Sequence, residues 1–393
     1  MTSTKRQRLA SSGGAKNNVE IPKLGGVKFN PSPTCVLEGG AEKSANTTAG
    51  LFIHAEVENT KSAGAQIPKE RDGRIDSVKF WLIVLVITAH VIMRKEFASS
   101  TACVAMWNWL CLFAMPLFIF ISGCYSRKKD WQAFWPSIWK LLEPLILFQA
   151  IGLLFFIGDP LSVRTIFSPW YMLWYLLSLI YWRLMLQMIP DRILKRTKLV
   201  VITAFCIGIL VGFLPFDKFL SLQRTLALMP FFFLGYCMKG KSLYLPDKYK
   251  LLCGVFLIAM FVILLFYPHR INDLKYAAPY KSVFGAVIRM MVFALAVPMS
   301  IAFINVCYNT PWIARQGRMS LQYYLYHALI VPPNSSLIIP PLIVIAEKFT
   351  PPITFVTAVI IIIGTIAVIA VALKIPYVKS LTNPSQFLVK RKS

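Results

Sequence analysis

The amino-acid sequence predicts an all-α integral membrane protein, a bundle of about 10 transmembrane helices with both termini in the cytoplasm. Composition is the first observation behind this prediction. Hydrophobic residues make up 56% of the 393 residues and charged residues 15%, whereas about a quarter of a soluble domain is charged. The second observation is a series of apolar runs of near-spanning length, which recur from Val78 onward between charged or Pro/Gly-rich breaks. Together they exclude an ordinary soluble enzyme, a disordered protein and a coiled coil.

The transmembrane domain is predicted to lie between two polar tails. Residues 1–73 are rich in Gly, Ser, Lys and Asn without sustained periodicity, so we expect a disordered cytoplasmic tail. Residues 74–376 form the transmembrane domain, and residues 377–393 form a short basic cytoplasmic tail. The predicted helices lie near residues 77–95, 103–123, 136–157, 170–189, 198–214, 224–238, 250–267, 282–307, 319–346 and 352–374.

The ninth predicted helix is broken, first at Pro332-Pro333 and again at Pro340-Pro341. Proline cannot continue the helical hydrogen-bond ladder. Non-helical backbone at membrane depth is tolerated where it is buried in protein or lines a cavity. The break therefore marks a candidate cavity.

Basic residues set the predicted orientation and partners. The net charge of +25 (42 basic and 17 acidic residues) would also suit a nucleic-acid-binding protein. The basic residues punctuate the apolar runs instead, and one set of alternate loops carries 13 of them against 9 in the other. The positive-inside rule places the richer set in the cytoplasm. We therefore expect a multi-pass protein of a plasma membrane or endomembrane, with the lipid bilayer as a partner and no nucleic acid.

The first predicted span carries two ionisable residues at membrane depth, where a charge costs at least about 2.5 kcal/mol. Lys79 and His90 are eleven residues apart, so on a helix they share one face about 16 Å apart along the axis. Asp76 lies one turn before Lys79 on that face. Lys79 alone suits a snorkelling anchor. His90 suits either a buried, hydrogen-bonded histidine or a general base, because imidazole titrates near neutral pH.

Polar residues also mark the second and third spans. The second ends at Ser122-Gly123, where no nucleophile elbow surrounds the serine and the glycine would let a helix or a ligand approach the backbone. The basic triplet that begins at Arg127 suits a topology signal or a site for an anionic group, such as the phosphates of coenzyme A. Lys140 and Glu143 are spaced for an internal salt bridge or for part of a polar site.

The later spans add a second histidine. Ser320, Tyr324 and His327 fall on one face of the ninth span, and His327 suits a structural hydrogen bond or a catalytic role. Trp174 lies in an aromatic run of the fourth span, of a kind typical of lipid-facing or core positions. Arg289, in the eighth span, has no partner nearby in sequence and is expected to find one on another helix.

These residues together resemble the acyltransferase 3 family of multi-pass membrane O-acyltransferases, and within it the fucose 4-O-acetylase-like branch. The resemblance covers roughly residues 75–375, with the motifs in the family's order. The stretches that carry it are Ile75-Asp-Ser-Val-Lys79 through His90, Phe118-Ile-Phe-Ile-Ser122-Gly123, Leu173-Trp174-Tyr175-Leu176, Pro230-Phe-Phe-Phe-Leu-Gly235-Tyr236 and Gly317-Arg-Met-Ser320 through Tyr324-Leu-Tyr-His327.

The resemblance implies roles for particular residues. His90 is expected to be catalytic, Lys79 to engage the acyl donor or the substrate, and Ser122-Gly123 to help form the pocket. The family pattern is a basic residue, ten intervening residues and then the histidine, and lysine stands here where the family more often has arginine. Many members carry a basic-x-x-basic motif before the third span's proline, where this chain has only Lys140 beside Glu143. The predicted substrate-binding and donor-binding residues are Ser122, Gly123, Arg127, Lys140, Glu143, Trp174, Ser320, Tyr324 and His327.

The sequence therefore predicts a membrane-bound O-acyltransferase that moves an acyl group, most simply acetyl, from acyl-CoA to a hydroxyl of a glycan or glycolipid. His90 would act as the general base, and Lys79 or Tyr324 would stabilise the developing oxyanion. Acyl-CoA is a co-substrate; no bound cofactor and no metal are predicted, and the eight cysteines include no Cys-x-x-Cys pair. The alternatives are a transporter or flippase of glycans or acyl groups, which the broken ninth helix favours, and a non-catalytic scaffold.

Overall fold

The chain forms helices throughout the part that the computed structural model describes, and no β-strand occurs there. The structure describes residues 72–94, 97, 100–155, 162–216, 219–267, 269–332 and 351–382. In chain order the helices are α1 Gly73–Ile92, α2 Thr101–Cys124, α3 Trp131–Phe155, α4 Val163–Phe167, α5 Trp174–Met188, α6 Asp191–Leu194, α7 Thr197–Leu210, α8 Leu222–Cys237, α9 Lys250–Leu265, α10 Phe284–Val306, α11 Pro311–Gly317, α12 Ser320–Ile330, α13 Pro351–Ala372 and α14 Pro376–Ser380.

Each of the ten predicted segments overlaps one of these helices. The ninth is helical as α12 and ends at Ile330, two residues before the first proline pair begins. The second proline pair, the predicted N-terminal tail up to residue 71 and the end of the chain from residue 383 lie outside the described residues.

Five helices are long and apolar enough to cross a membrane: α1, α2, α3, α10, and α9 together with the 3-10 turn Asp247–Tyr249 before it. Large apolar side chains on and beside these helices are exposed, for example Leu251 on α9 at 79% and Phe266, just after α9, at 84%. Continuous apolar surface of this kind would be unfavourable in water and suits contact with lipid. The chain is therefore a membrane protein, while the number of about ten spans and their orientation remain predictions.

Helix α2 is the centre of the bundle, because α1, α8, α9 and α10 all pack against it. Its contact with α8 is close enough for backbone to meet backbone. A Cβ atom on Gly123 of α2 would collide with the carbonyl oxygen of Phe232, and one on Gly235 of α8 would collide with that of Phe120. Small residues allow this approach, which is a common way for membrane helices to associate.

Helix α1 is held at both ends. At its start, the Asp72 carboxylate accepts a hydrogen bond from the Arg74 amide (2.9 Å) and another from the Tyr244 hydroxyl (2.8 Å). At its end, the guanidinium of Arg270 donates to the carbonyl oxygens of Met93 (2.8 Å) and Ile92 (2.9 Å). The bonds to the Arg74 amide and from Arg270 satisfy terminal backbone groups that have no partner within the helix. They fix the helix that carries Lys79 and His90.

Arg289 finds its partner on another helix, as expected. Its side chain is 2% exposed, and Nη1 donates to the carbonyl oxygen of Gly208 on α7 at 3.3 Å. The guanidinium also lies 4.5 Å from the centre of the Tyr280 ring. A cation over an aromatic face is attracted by the ring's quadrupole. This buried arginine joins α10 to α7.

Candidate active site

His90 lies in the last turn of α1 and lines a cavity of about 170 Å³. Helices α1, α2, α8 and α12 enclose the cavity, together with the turn that precedes α5 and the turn at residues 272–275. Its wall is largely apolar with a few polar groups, which is typical of a small-molecule site. The polar and aromatic residues that line it are His90, Trp107, Tyr171, Trp174, Arg224, Lys275, Tyr276 and Tyr324.

The His90 ring is packed between two other rings. The centre of the Tyr171 ring lies 4.6 Å away, and that of His327 on α12 lies 5.3 Å away. Nδ1 of His90 is buried and has no hydrogen-bond partner among the described residues. Nε2 is therefore the ring nitrogen that is left to face the cavity.

His327 is wholly buried behind His90. Its Nδ1 lies 3.1 Å from the carbonyl oxygen of Tyr323, one turn earlier on α12. A carbonyl oxygen only accepts hydrogen bonds, so Nδ1 of His327 carries the proton. The structure thus brings both histidines named from the sequence to one place, although 237 positions separate them in the chain.

Arg224 is one of two cations that line the His90 cavity, and Lys275 is the other. It lies in the first turn of α8, where its Nε donates to the carbonyl oxygen of Lys275 at 3.1 Å. Its guanidinium lies 5.1 Å from the centre of the Trp174 ring. Arg224 was not predicted as a site residue, because in the sequence it resembles a loop charge at the start of a short span. Its position in the first turn of a largely apolar helix is the sequence signal that could have identified it.

The backbone is strained at the edge of this cavity. All four non-glycine residues with positive φ among the described residues belong to segments that form or adjoin it. Tyr171 (φ 51°) and Tyr276 (φ 53°) line the cavity, and Leu220 (φ 50°) and Ser221 (φ 57°) lead into the helix that carries Arg224. The left-handed region is costly for such residues and is found most often at functional sites.

Asn108 supports the segment that closes the cavity from the other side. Its side chain, which is wholly buried, donates to the carbonyl oxygen of His269 (2.9 Å) and accepts from the amide of Ile271 (3.0 Å). These two bonds pin the chain just before the turn that bears Lys275 and Tyr276. The cavity wall is therefore anchored to the central helix α2.

Lys79 lines a different cavity, of about 220 Å³, with Ser122, Arg318 and Ser320 among its other residues. The ammonium group lies 3.3 Å from a carboxylate oxygen of Asp76 and 4.7 Å from the centre of the Tyr125 ring. Lys79 and His90 face the same side of α1, as predicted, but eleven residues of helix keep them about 16 Å apart. They cannot act on the same atom.

A chain of contacts joins the two cavities. Ser122 of the Lys79 cavity lies 2.6 Å from the hydroxyl of Tyr175, and the ring of Tyr175 lies 5.5 Å from that of Tyr324, which lines the His90 cavity. The hydroxyl of Tyr324 donates to the carbonyl oxygen of Met172. Because a hydroxyl has one proton to donate, Tyr324 is not available to an oxyanion in this arrangement.

The remaining predicted site residues lie away from both cavities. Gly123 is buried in the backbone contact with α8. Arg127 and Lys140 are exposed and Glu143 is half-buried on α3. Burial, and then the positive charges of Arg183, Arg127 and Lys140, lower the pKa of Lys129 in the α2–α3 connection. These basic residues therefore form a cluster near the end of α2, separate from the cavity of His90.

The fold and the site together define a helical membrane protein with a histidine-containing cavity suited to proton transfer. The model of the family described as an acyltransferase domain, acyltransferase 3, matches residues 72–374. The chain therefore belongs to the acyltransferase 3 family. No curated protein and no solved structure matches the chain.

Proposed function

We propose that the protein is a multi-pass membrane O-acyltransferase that moves an acyl group, most simply acetyl, from acyl-CoA to a hydroxyl of a glycan or glycolipid. The placement of His90 in a cavity with Arg224, in a chain of the acyltransferase 3 family, carries the proposal. The proposal also places the protein in the fucose 4-O-acetylase-like branch of the family. It includes about ten membrane spans with both termini in the cytoplasm.

In the proposed reaction His90 first acts as a base and then as an acid. Nε2 accepts the proton of the acceptor hydroxyl while the oxygen attacks the thioester carbonyl carbon. When the carbon–sulfur bond breaks, the protonated imidazole returns that proton to the departing thiolate. The products are the ester and free CoA, and no other reactant is needed.

The developing oxyanion needs a donor within reach of His90. Arg224 is the candidate that the geometry favours, because it lines the same cavity and its Nη groups are not the ones bound to Lys275. A fixed donor at an oxyanion position contributes about 10²–10³ to the rate. The sequence suggested Lys79 and Tyr324 for this role. Lys79 lines the other cavity, and the hydroxyl of Tyr324 already donates to the carbonyl oxygen of Met172.

The donor's phosphates fit the opposite end of α1. Lys79 and Arg318 line the cavity there, and the basic cluster that contains Arg127 and Lys140 lies near the end of α2. Arginine and lysine side chains are the usual partners of phosphate groups. An extended pantetheine arm is comparable in length with the roughly 16 Å between Lys79 and His90, so it can carry the thioester toward His90. It must pass the Tyr175–Tyr324 contact to do so.

The walls of the His90 cavity suit a sugar acceptor. Trp107, Tyr171 and Trp174 offer aromatic faces beside the polar groups of His90 and Arg224. Sugars pack their C–H faces on aromatic rings and direct their hydroxyls to polar groups at the edge. Exclusion of water by these rings would also strengthen the electrostatic contacts that the reaction needs.

Purified protein incubated with radiolabelled acetyl-CoA tests the proposal. Wild type is expected to release CoA and to label an acceptor fraction prepared from membranes, and His90→Ala is expected to do neither. The two cavities on either side of the Tyr175–Tyr324 contact also suit a transporter, which would move substrate without releasing CoA. Transport without thioester cleavage would therefore replace the proposal with that alternative.

A further inference from the structure

The two buried histidines each leave one ring nitrogen without a partner. Among the described residues, neither Nδ1 of His90 nor Nε2 of His327 has a hydrogen-bond partner, and both atoms are inaccessible. A buried polar atom without a partner loses its water and gains nothing in return. Two such atoms on neighbouring rings therefore call for an explanation.

The chemistry of the two nitrogens is complementary. Nδ1 of His327 carries its ring's proton, because it bonds the carbonyl oxygen of Tyr323. Nε2 of a neutral His327 is then a lone-pair acceptor that needs a donor. Nδ1 of His90 becomes that donor if the proton of its neutral ring sits there.

The separation of the rings matches a bond between these atoms. Two imidazoles joined by a straight N–H···N hydrogen bond have ring centres about 5.2 Å apart. The centres of His90 and His327 are 5.3 Å apart, with 33° between the ring planes. Face-to-face stacking would bring the rings closer. The bond requires the rings to turn until the two nitrogens face each other, and the packing of α1 on α12 holds the rings at the distance such a bond needs.

We propose that His327 is a positioning residue for His90: its Nε2 accepts a hydrogen bond from Nδ1–H of His90 and so fixes the tautomer whose Nε2 is free to act as a base in the cavity. The inference rests on the proposed function for its catalytic consequence. His327 is a neutral counterpart of the carboxylate that orients the histidine in many hydrolases. No carboxylate is among the residues that line the His90 cavity in the described part of the chain.

The pairing also explains why His327 is anchored so firmly. If its own Nδ1 were free, the His327 ring could exchange tautomers and present a donor to His90 in place of an acceptor. The Tyr323 carbonyl prevents this exchange, and complete burial prevents water from replacing either partner. The proposed hydrogen bonds therefore all run in one direction. His90 donates to His327, His327 donates to the Tyr323 carbonyl, and the unprotonated nitrogen of His90 faces the cavity.

The tautomer is measured directly by solid-state NMR of the full-length protein in lipid, labelled with ¹⁵N-histidine. The chain has four histidines, and the spectra of His90→Ala and His327→Leu assign the two signals. Wild-type His90 is expected to show a protonated Nδ1 and an unprotonated Nε2, and in His327→Leu the two tautomers of His90 mix. A protonated Nε2 in wild-type His90, or a tautomer unchanged by His327→Leu, overturns the proposal.

Kinetics provide a second readout, with CoA release from acetyl-CoA as the probe. His327→Leu is expected to lower the maximal rate about 10–100-fold, with the KM for acetyl-CoA changed less than twofold. His327→Gln restores part of the rate, because its amide oxygen can accept the same bond. His269→Leu, the same change at an exposed histidine, is expected to keep the wild-type rate. Equal rates for His327→Leu and wild type, both folded, contradict the proposal.

The two proposals fail in different ways. If wild type releases no CoA and transfers no acetyl group, the proposed function fails. The NMR measurement still decides whether His327 sets the tautomer of His90, because it needs no turnover.

Discussion

The close contact between α2 and α8 predicts a defined loss of stability when Gly123 is replaced by alanine. The added Cβ would overlap the carbonyl oxygen of Phe232 and lie 3.0 Å from the amide nitrogen of Tyr236. Both obstacles are backbone atoms of α8, so no side-chain rotation relieves the overlap. Overpacking of this kind costs about 1–3 kcal/mol.

Gly254 on α9 is the matched control. It is also a glycine within an apolar helix, but a Cβ there would meet nothing within 4 Å. Each glycine-to-alanine change gains about 1 kcal/mol of helix propensity. The difference in stability between the two variants therefore isolates the cost of the contact.

Thermal unfolding of the purified variants in detergent measures that difference. A free-energy difference of about 1–3 kcal/mol corresponds to a separation in Tm of about 1–4 °C for a chain of this size. Gly123→Ala is expected to melt below wild type or near it, and Gly254→Ala at or above it. Equal melting temperatures for the two variants would refute the close backbone contact.

Three further changes test other parts of the structure. Arg224→Leu is expected to lower the rate of acyl transfer about 10²–10³-fold, with a smaller loss for Arg224→Lys; full activity in both excludes Arg224 from the oxyanion site. Asn108→Leu leaves two backbone groups unpaired and is expected to lower the free energy of unfolding by about 2–4 kcal/mol, and an unchanged Tm contradicts this. A hydrogen bond from Lys128 and its positive charge lower the pKa of Asp191. This pair therefore stabilises the fold above pH of about 4 and stops doing so as pH falls through the lowered pKa, so Asp191→Asn is expected to flatten the acid side of a plot of Tm against pH.

Much of the fold was predictable, because long apolar runs specify membrane helices almost by themselves. Each predicted segment overlaps a helix, and the ninth ends before Pro332 as its prolines require. The length of a helix was harder to predict than its existence. Trp131 begins α3 directly after the charged run that ends at Asp130, five residues before the predicted start at Pro136, which lies inside the helix.

The site was predictable where the relevant residues lie on one helix. The spacing of Lys79 and His90 predicted their shared face, and it placed Asp76 one turn before Lys79, where the structure forms an ion pair. Residue spacing could not show that Lys79 and His90 line two separate cavities. That division depends on the ring contact between Tyr175 and Tyr324, which lie 149 positions apart and meet only in the folded chain.

Contacts between distant segments explain the residues that sequence reasoning missed. Arg224 and Tyr171 join His90 from two other parts of the chain, and neither belongs to a motif with a chemical meaning of its own. Their signals are tertiary: a shared cavity for both, and a positive φ for Tyr171. Local sequence patterns contain no such information, because contacts with distant segments, and not the residue's own propensity, hold a tyrosine in the left-handed backbone conformation.

The most direct test of the central claim compares two histidine-to-alanine variants in the same membranes. His90→Ala removes the proposed base, and His269→Ala removes an exposed histidine outside the cavity. Transfer of the labelled acetyl group from acetyl-CoA to the acceptor fraction is measured at matched protein levels. The account predicts that His269→Ala transfers acetyl at the wild-type rate while His90→Ala loses at least about 10²-fold. Transfer by His90→Ala at the wild-type rate would contradict the account.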